Sequence, residues 1–212
     1  MTSILLTSDD PRGILLFAPG AGGDPSRYER LLTSVNDAGF IVASPEHDLT
    51  ETFSDEVVQE RVTALRAGLD DLGHEDLPVV AAGHSLGGCA ALCLAGARPR
   101  NREGAAVDVA TEPRVNRVVV LAPATGWFAG PDALDDLRVP VTAFVGSKDD
   151  VTPPSTAEVL RPAPAGLDLR TCEGVGHFDF MWPLPSNKVP TPGLDHDEFY
   201  GRFTEDFIAA LG

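Results

Sequence analysis

The sequence is short of basic residues and of long apolar runs, and both shortages limit what the chain can bind. Its 16 Lys and Arg residues stand against 32 Asp and Glu, a net charge of -16. That charge argues against nucleic acid and against an anionic membrane surface as partners. No apolar run reaches the roughly 18 residues that a membrane span needs, so no transmembrane helix is expected. The first ten residues lack a basic segment followed by a long apolar core, so no signal peptide is predicted.

Cysteine is also scarce. The odd, low count of three, namely Cys89, Cys93 and Cys172, favours a reducing compartment, so we expect a cytoplasmic protein. Cys89 and Cys93 are expected to pack as small buried side chains. No Cys/His cluster has zinc-ligand spacing, and the phosphate-binding G-x-x-x-x-G-K-[ST] and G-x-G-x-x-G patterns are absent. The sequence therefore predicts no metal and no cofactor.

What the chain does contain is a regular alternation of short apolar strands and amphipathic helices. Strands are predicted over residues 3–7, 13–19, 40–44, 79–82, 115–121, 139–145 and 167–172, with helices over 25–38, 54–72, 86–95, 155–160 and from about 195. The strands are apolar on both faces, which is typical of a mostly parallel, doubly wound α/β sheet covered by helices on both sides. At this length we expect a single domain over residues 1–212. The stretch between residues 121 and 139 leaves no room for a large cap domain.

The segment Gly83-His-Ser-Leu-Gly87 is a G-x-S-x-G between a predicted strand and a predicted helix. A serine on so tight a turn is forced to positive φ, and the residues two before and two after it approach each other closely. Glycine fits both of those positions. This context favours a nucleophile elbow, with Ser85 lifted above the sheet edge, over a glycine-rich turn with an incidental serine.

A serine hydroxyl needs a base, which must be a histidine oriented by a carboxylate. His177 follows the last strand on a glycine-rich loop and is the preferred base, with His47 its main rival; His74 and His196 look like surface residues. For the carboxylate, Asp149 is preferred over Asp150, which suits a turn residue. The order Ser85, Asp149, His177 is that of the α/β hydrolases.

Two backbone amides are needed to hold an oxyanion. The Leu86 N–H, at the start of the elbow helix, is one candidate. Gly20-Ala-Gly-Gly23 offers the other because the small residues let backbone approach substrate, and the Ala21 N–H is preferred. The same glycines also suit a simple turn leading to the helix cap at Asp24, and the loop can serve both purposes.

At this point the chain resembles a lidless serine esterase of the α/β-hydrolase superfamily, similar to predicted dienelactone hydrolases and to chlorophyllase-like and polyester-hydrolase-like enzymes. The matching pieces are Ala18-Pro-Gly-Ala-Gly-Gly23, Gly39-Phe-Ile-Val-Ala-Ser-Pro-Glu-His47, Gly83-His-Ser-Leu-Gly-Gly88, Gly146-Ser-Lys-Asp149 with Pro153, and Gly176-His-Phe178. The resemblance implies hydrolysis of carboxylic esters without a cofactor. Two departures count against a dienelactone hydrolase: that family has cysteine where this chain has Ser85, and often His-Gly where it has Pro19-Gly20.

The expected function is cleavage of a small carboxylic ester, a small-molecule partner, through an acyl-enzyme. Its apolar part is expected against aromatic side chains after the fifth and seventh strands, chiefly Trp127, Phe128, Phe178 and Trp182. The same triad would also serve an acyltransferase, a perhydrolase or an amidase. A non-catalytic binding module on a hydrolase fold is the remaining alternative.

Overall fold

The computed structural model describes residues 3–47 and 54–212. Within these ranges one seven-stranded sheet is formed by β1 (Ile4–Leu6), β2 (Gly13–Ala18), β3 (Phe40–Ser44), β4 (Val79–His84), β5 (Val115–Leu121), β6 (Val141–Gly146) and β7 (Leu167–Cys172). The strand order is β1-β3-β2-β4-β5-β6-β7. β1 pairs with β3 in antiparallel fashion and all other pairs are parallel. The predicted mostly parallel sheet is confirmed.

The helices follow the strands that the alternation predicted. They are α1 (Glu29–Asp37), α2 (Asp55–Asp70), α3 (Leu86–Leu94) and α4 (His196–Leu211), with 3-10 helices at Pro25–Tyr28, Gly126–Phe128, Pro154–Leu160 and His177–Phe180. Side-chain caps fix three starts: Asp24 accepts from Ser26 N, Ser54 from Val57 N and Asp195 from Glu198 N. The stretch from β5 to β6 holds only the 3-10 helix Gly126–Phe128 and turns, so no cap domain lies there.

Helices cover both faces of the sheet because successive side chains of a strand point to opposite sides. On β2, Ile14 and Leu16 belong to the core layer that also holds α2 and α3. Leu15 and Phe17 belong to the other layer, which contains the apolar faces of α1 and α4. All four side chains are fully buried. The sheet is therefore doubly wound, as expected.

The parallel strands place their carboxyl ends along one edge of the sheet, where ligands bind in folds of this kind. β2 leads there into Pro19, β4 into Ser85, β6 into the turn before Asp149 and β7 into the loop before His177. Across residues 3–47 and 54–212, no helix combines the length and apolar character required to cross a membrane.

Candidate active site

Ser85 lies on a strained turn between β4 and α3. Its backbone has φ 55° and ψ -117°, in the region that non-glycine residues rarely occupy. A Cβ on Gly83 would lie 2.4 Å from the Gly87 carbonyl carbon, and one on Gly87 would lie 2.0 Å from Ala18 O. The steric argument for both glycines is confirmed. The Ser85 amide donates to Leu121 O over 2.9 Å, which fixes the turn against β5.

His177 and Asp149 form a buried pair at the ends of β7 and β6. His177 Nδ1 is 2.8 Å from Asp149 Oδ2, and each residue is 5% exposed. Asp149 Oδ1 accepts from Val151 N at 2.8 Å and from Thr152 N at 2.7 Å. Burial by itself would raise the pKa of Asp149, but the hydrogen bonds from His177 and Thr152 outweigh it and hold the pKa below its usual value. The carboxylate therefore stays ionised beside the histidine, while Asp150 is exposed.

The Ser85 hydroxyl is half-buried and makes no hydrogen bond within the described part of the chain. In resting enzymes the contact between nucleophile and base is often longer than a hydrogen bond and tightens when substrate binds. Because His177 Nδ1 is engaged by Asp149, Nε2 is the ring nitrogen left for another partner.

The loop over residues 19–23, which we call the oxyanion loop after the role expected of Ala21, is held from two sides. Arg61 of α2 donates through Nη1 to Pro19 O at 2.9 Å and through Nη2 to Ala21 O at 3.3 Å. On the other side the Gly20 amide donates to Tyr28 Oη at 3.1 Å. The amides of Ala21 and Leu86 have no acceptor among residues 3–47 and 54–212. Leu86 opens α3, and the first amides of a helix have no intrahelical partner.

Three of the other histidines, His47, His74 and His196, lie outside this arrangement. His47 is 5% exposed, its ring nitrogens have no partner among the described residues, and burial together with the Arg61 charge lowers its pKa to about 4. It thus lacks the carboxylate that His177 has. His196 was predicted at the surface, which is wrong: it is buried, with Nε2 2.8 Å from Asp179 O and its ring stacked on Trp182. Only His74 is exposed as expected.

A cavity of about 360 Å³ opens beside Ser85, and Trp127, Val151 and Thr152 line it. A second cavity of about 290 Å³ lies against the oxyanion loop and is lined by Phe178. Ser85 itself lines the first cavity, and each of the two has a size suited to a small ligand group.

Two of the four aromatic residues predicted to line the substrate site do not reach these cavities. Phe128 is 1% exposed and belongs to the core, because it points inward from the 3-10 helix that presents Trp127 to the cavity. Trp182 packs on His196 with ring centroids 4.9 Å apart, under the guanidinium of Arg30. Phe128 and Trp182 line other cavities, near Gly130 and near Arg30 respectively, and neither borders the two cavities described above.

One wall of the cavity beside Ser85 comes from the polar segment of residues 98–114, which joins α3 to β5. Arg100, Asn101 and Arg102 line it. Arg100 is held by Asp132 through contacts of 2.8 and 3.1 Å, and the Asn101 amide nitrogen donates to Asp55 Oδ2 at 2.9 Å. These are contacts across 32 and 46 residues, so no local pattern indicates them.

Thr152 is a second residue that the sequence did not single out. Its hydroxyl oxygen lies 2.9 Å from Asp149 Oδ2, 3.1 Å from His177 Nδ1 and 3.0 Å from Ala122 O. The hydroxyl therefore touches both members of the buried pair. Its position three residues after the carboxylate, in the same turn, is the local signal that could have drawn attention to it.

The cavity beside Ser85 is not the largest one in the described structure, so size alone would not identify it as the candidate site. A larger cavity, of about 750 Å³, lies between the end of α3 and the starts of β5 and β6, and its lining contains none of Ser85, Asp149 and His177. It sits at the amino ends of the strands, opposite the edge where parallel sheets bind ligands. No group of three or more His, Cys, Asp or Glu residues suited to a metal ion occurs in the ranges 3–47 and 54–212.

Comparisons with known proteins agree with this architecture. No family model matches the chain. Lipase LipV from Mycobacterium tuberculosis (strain ATCC 25618 / H37Rv) is 39% identical over 101 residues, which are 46% of this chain and 36% of that lipase. The chain therefore spans about a third of the length of this curated relative.

The similar solved structures cover nearly the whole chain. Thermogutta terrifontis esterase 2 phosphoramylated by tabun is 16% identical, with a TM-score of 0.67 over 99% of this chain and 89% of that one. A Paleococcus ferrophilus monoacylglycerol lipase is 16% identical, with a TM-score of 0.68 over 98% of both chains. Taken with the strand order and the turn at Ser85, these likenesses show that the chain has the α/β-hydrolase fold.

Proposed function

We propose that the protein is a serine hydrolase that cleaves small carboxylic esters. The observation that carries this proposal is the coincidence, at one sheet edge, of a serine held at positive φ with a buried histidine–carboxylate pair. Strained backbone persists only where the surrounding structure enforces it, and it clusters at active sites. The likeness to named esterases and lipases supports the same chemistry.

In the proposed mechanism Ser85 Oγ attacks the ester carbonyl while His177 Nε2 takes its proton. Asp149 orients the ring through Nδ1 and stabilises the imidazolium that forms. The amides of Leu86 and Ala21 donate to the oxyanion of the tetrahedral intermediate, where preorganised donors contribute most to the rate. Both amides have no other acceptor in the described structure, as such a role requires.

Collapse of the intermediate then breaks the bond to the alcohol, and His177 Nε2–H protonates the leaving oxygen. Water enters, gives its proton to the same nitrogen and attacks the acyl-enzyme; the second intermediate then breaks its bond to Ser85 Oγ, which takes the proton back from Nε2 as the acid is released. Nothing in these steps requires a metal or a cofactor.

For the substrate we propose a small ester whose acyl and alcohol parts occupy the cavities beside Trp127 and Phe178. The finer assignment, to enzymes like predicted dienelactone hydrolases or polyester hydrolases, rests on the sequence resemblance. Transfer of the acyl group to an acceptor other than water would use the same residues, and product analysis with competing alcohols and amines separates these reactions.

A fluorophosphonate probe tests the nucleophile directly, because it labels a serine only when a working base activates it. We expect the wild type to be labelled and to hydrolyse p-nitrophenyl acetate. Ser85→Ala should lose both properties, with its stability changed by about 1 kcal/mol or less. Ser34→Ala, a half-buried serine of α1, should behave as wild type. A folded wild type that reacts with neither reagent would favour the binding module instead.

A further inference from the structure

The residue before the nucleophile, His84, joins the two halves of the candidate site from behind. It is fully buried at the end of β4. Its Nδ1 lies 2.8 Å from Tyr28 Oη and its Nε2 lies 3.0 Å from the backbone oxygen of His177. Tyr28 Oη in turn accepts from the Gly20 amide at 3.1 Å. A continuous chain of hydrogen bonds therefore runs from the oxyanion loop to the segment that carries the base.

The direction of every bond in this chain is fixed by its neighbours. A carbonyl oxygen can only accept, so His84 Nε2 carries the hydrogen that His177 O receives. Burial and the nearby His177 lower the pKa of His84 well below its usual value, so the ring is neutral and Nδ1 accepts. Burial raises the pKa of Tyr28, so its hydroxyl keeps the proton that it donates to Nδ1.

This chain of hydrogen bonds connects the oxyanion loop to the His177 segment, two parts that the reaction needs at a fixed separation. Gly20 directly precedes Ala21, whose amide is the candidate oxyanion donor, and His177 is the candidate base. Gly20 packs tightly against both side chains, because a Cβ on it would lie 3.0 Å from His84 Nδ1 and 3.2 Å from Tyr28 Oη. The rings of His84 and His177 lie 4.6 Å apart. A shift of the His84 side chain would therefore move the oxyanion loop and the base relative to Ser85.

We infer that Tyr28 and His84 are positioning residues, which fix the oxyanion loop and the His177 segment relative to each other. This inference rests on the proposed function, since it concerns the transition state of that reaction. Oxyanion and imidazolium develop only in the transition state, so a misplaced loop lowers kcat and leaves ground-state binding largely intact. His84 lines neither of the two cavities proposed for the ester, and Tyr28 borders the one beside Phe178 with only 1% of its surface exposed, so both residues act through the loop and the His177 segment.

The test compares two buried tyrosines. Tyr28→Phe removes the central hydroxyl and should lower kcat for p-nitrophenyl acetate by about 10- to 100-fold, with little change in KM. Tyr200→Phe is the matched control, because Tyr200 is fully buried and its hydroxyl has no partner among the described residues. It should keep the wild-type kcat. Thermal unfolding of both variants verifies that each is folded.

Two substitutions of His84 supply the rescue. His84→Gln keeps an N–H that can reach His177 O, whereas His84→Leu removes both hydrogen bonds of the ring, to Tyr28 and to His177. The glutamine variant should therefore retain more of the wild-type kcat. Because the bonds act as a unit, Tyr28→Phe should add little to the loss in His84→Leu. Nitrogen NMR of the histidine rings gives a readout independent of turnover, in which His84 should remain the neutral Nε2–H tautomer at pH 5.

The outcomes separate this inference from the proposed function. If the wild type is active and Tyr28→Phe matches Tyr200→Phe in kcat, the positioning role is overturned and the esterase proposal stands. A His84 ring that is protonated, or carries its hydrogen on Nδ1, overturns it as well. If the folded wild type shows neither turnover nor fluorophosphonate labelling, the proposed function fails and the positioning role fails with it.

Discussion

The two oxygens of the Asp149 carboxylate have different partners. Oδ1 accepts two backbone amides from its own turn, and Oδ2 faces His177 Nδ1 and the Thr152 hydroxyl. The backbone bonds hold the carboxylate in place whether or not the histidine is charged. One residue further along, Asp150 projects into solvent. A difference of one position thus separates a buried hydrogen-bonded carboxylate from a solvated one.

At this scale we predict that Asp149→Asn reduces kcat far more than Asp150→Asn. An asparagine amide in place of Oδ2 favours the wrong histidine tautomer, a change that costs about 10⁴ in kcat in a comparable serine protease triad. Asp150→Asn should stay within a few-fold of wild type. Both variants are measured on one activated ester. A crippled Asp150→Asn beside an active Asp149→Asn would assign the carboxylate to the neighbouring residue.

Among the elements, α2 supports the oxyanion loop through a single buried side chain. Arg61 is 1% exposed, and burial lowers its pKa to about 10, so the guanidinium is still charged at neutral pH. Its two hydrogen bonds end on the carbonyl oxygens of Pro19 and Ala21. Burying an isolated charge costs free energy. The presence of Arg61 at a buried position is explained if its guanidinium keeps the loop in one conformation.

We therefore expect Arg61→Met to lower kcat by about 10-fold, because the loop loses both donors and the Ala21 amide loses its alignment. Arg66→Met on the same helix is the control, since Arg66 is half exposed and, among the residues that the structure describes, its one ion pair is with Glu112 at 3.7 Å. Steady-state kinetics and thermal unfolding of the two variants are compared. Equal kcat values in folded proteins would show that the loop does not depend on Arg61.

For the molecule as a whole, the candidate site is an open groove whose walls come from distant parts of the sequence. Ser85 from the end of β4 and residues 100–102 line the same cavity, and the buried pair of Asp149 and His177 lies at the ends of β6 and β7. Between β5 and β6 the chain has only turns and one short 3-10 helix. The segment between β5 and β6 therefore places no cap over this edge.

From this shape we predict higher kcat/KM for acetyl to octanoyl p-nitrophenyl esters than for longer acyl chains. A cavity of about 360 Å³ holds a short chain, and a longer one leaves apolar surface in water. The measurement is a series of chain lengths below and above the solubility limit. A jump in rate at that limit, with a preference for emulsified long-chain triglyceride, would contradict it.

Global stability should depend on buried neutral histidine. The pKa of His47 is lowered from 6.5 to about 4, so between these values the unfolded chain binds a proton that the folded chain refuses. Above pH 6.5 the histidine is neutral in both states and the free energy of unfolding is at its full value. As the pH falls to about 4, this free energy decreases by about 3 kcal/mol for this pKa shift. His84 acts in the same direction.

Urea unfolding at pH 7.5 and pH 4.5 measures this effect. We expect the difference in unfolding free energy between the two pH values to be smaller in His47→Leu than in wild type, since the leucine has no proton to bind. His74→Ala, at an exposed position, should keep the wild-type difference. An unchanged difference in His47→Leu would mean that His47 is not held neutral by the fold.

The sequence by itself determined the features that follow from local rules. Alternating apolar strands and helices gave the doubly wound sheet, because burial on both faces leaves a distinct pattern. The glycines around Ser85 indicated the elbow, since only the smallest residue fits where a Cβ would lie 2.0 Å from Ala18 O. The candidates Asp149 and His177 came from their places just after strand ends, which meet at one edge of a parallel sheet.

Tertiary structure alone decided which side chains meet across long sequence separations. Of the aromatic residues after β5 and β7, Trp127 and Phe178 line the cavities beside Ser85 and the oxyanion loop. Phe128 packs in the core and Trp182 packs on His196 instead. It also brought residues 100–102 to Ser85, Arg61 to the oxyanion loop, and Tyr28 to His84 over 56 residues. A local pattern fixes which face of its own element a residue lies on, whereas its distant neighbours are set by how all the elements pack together.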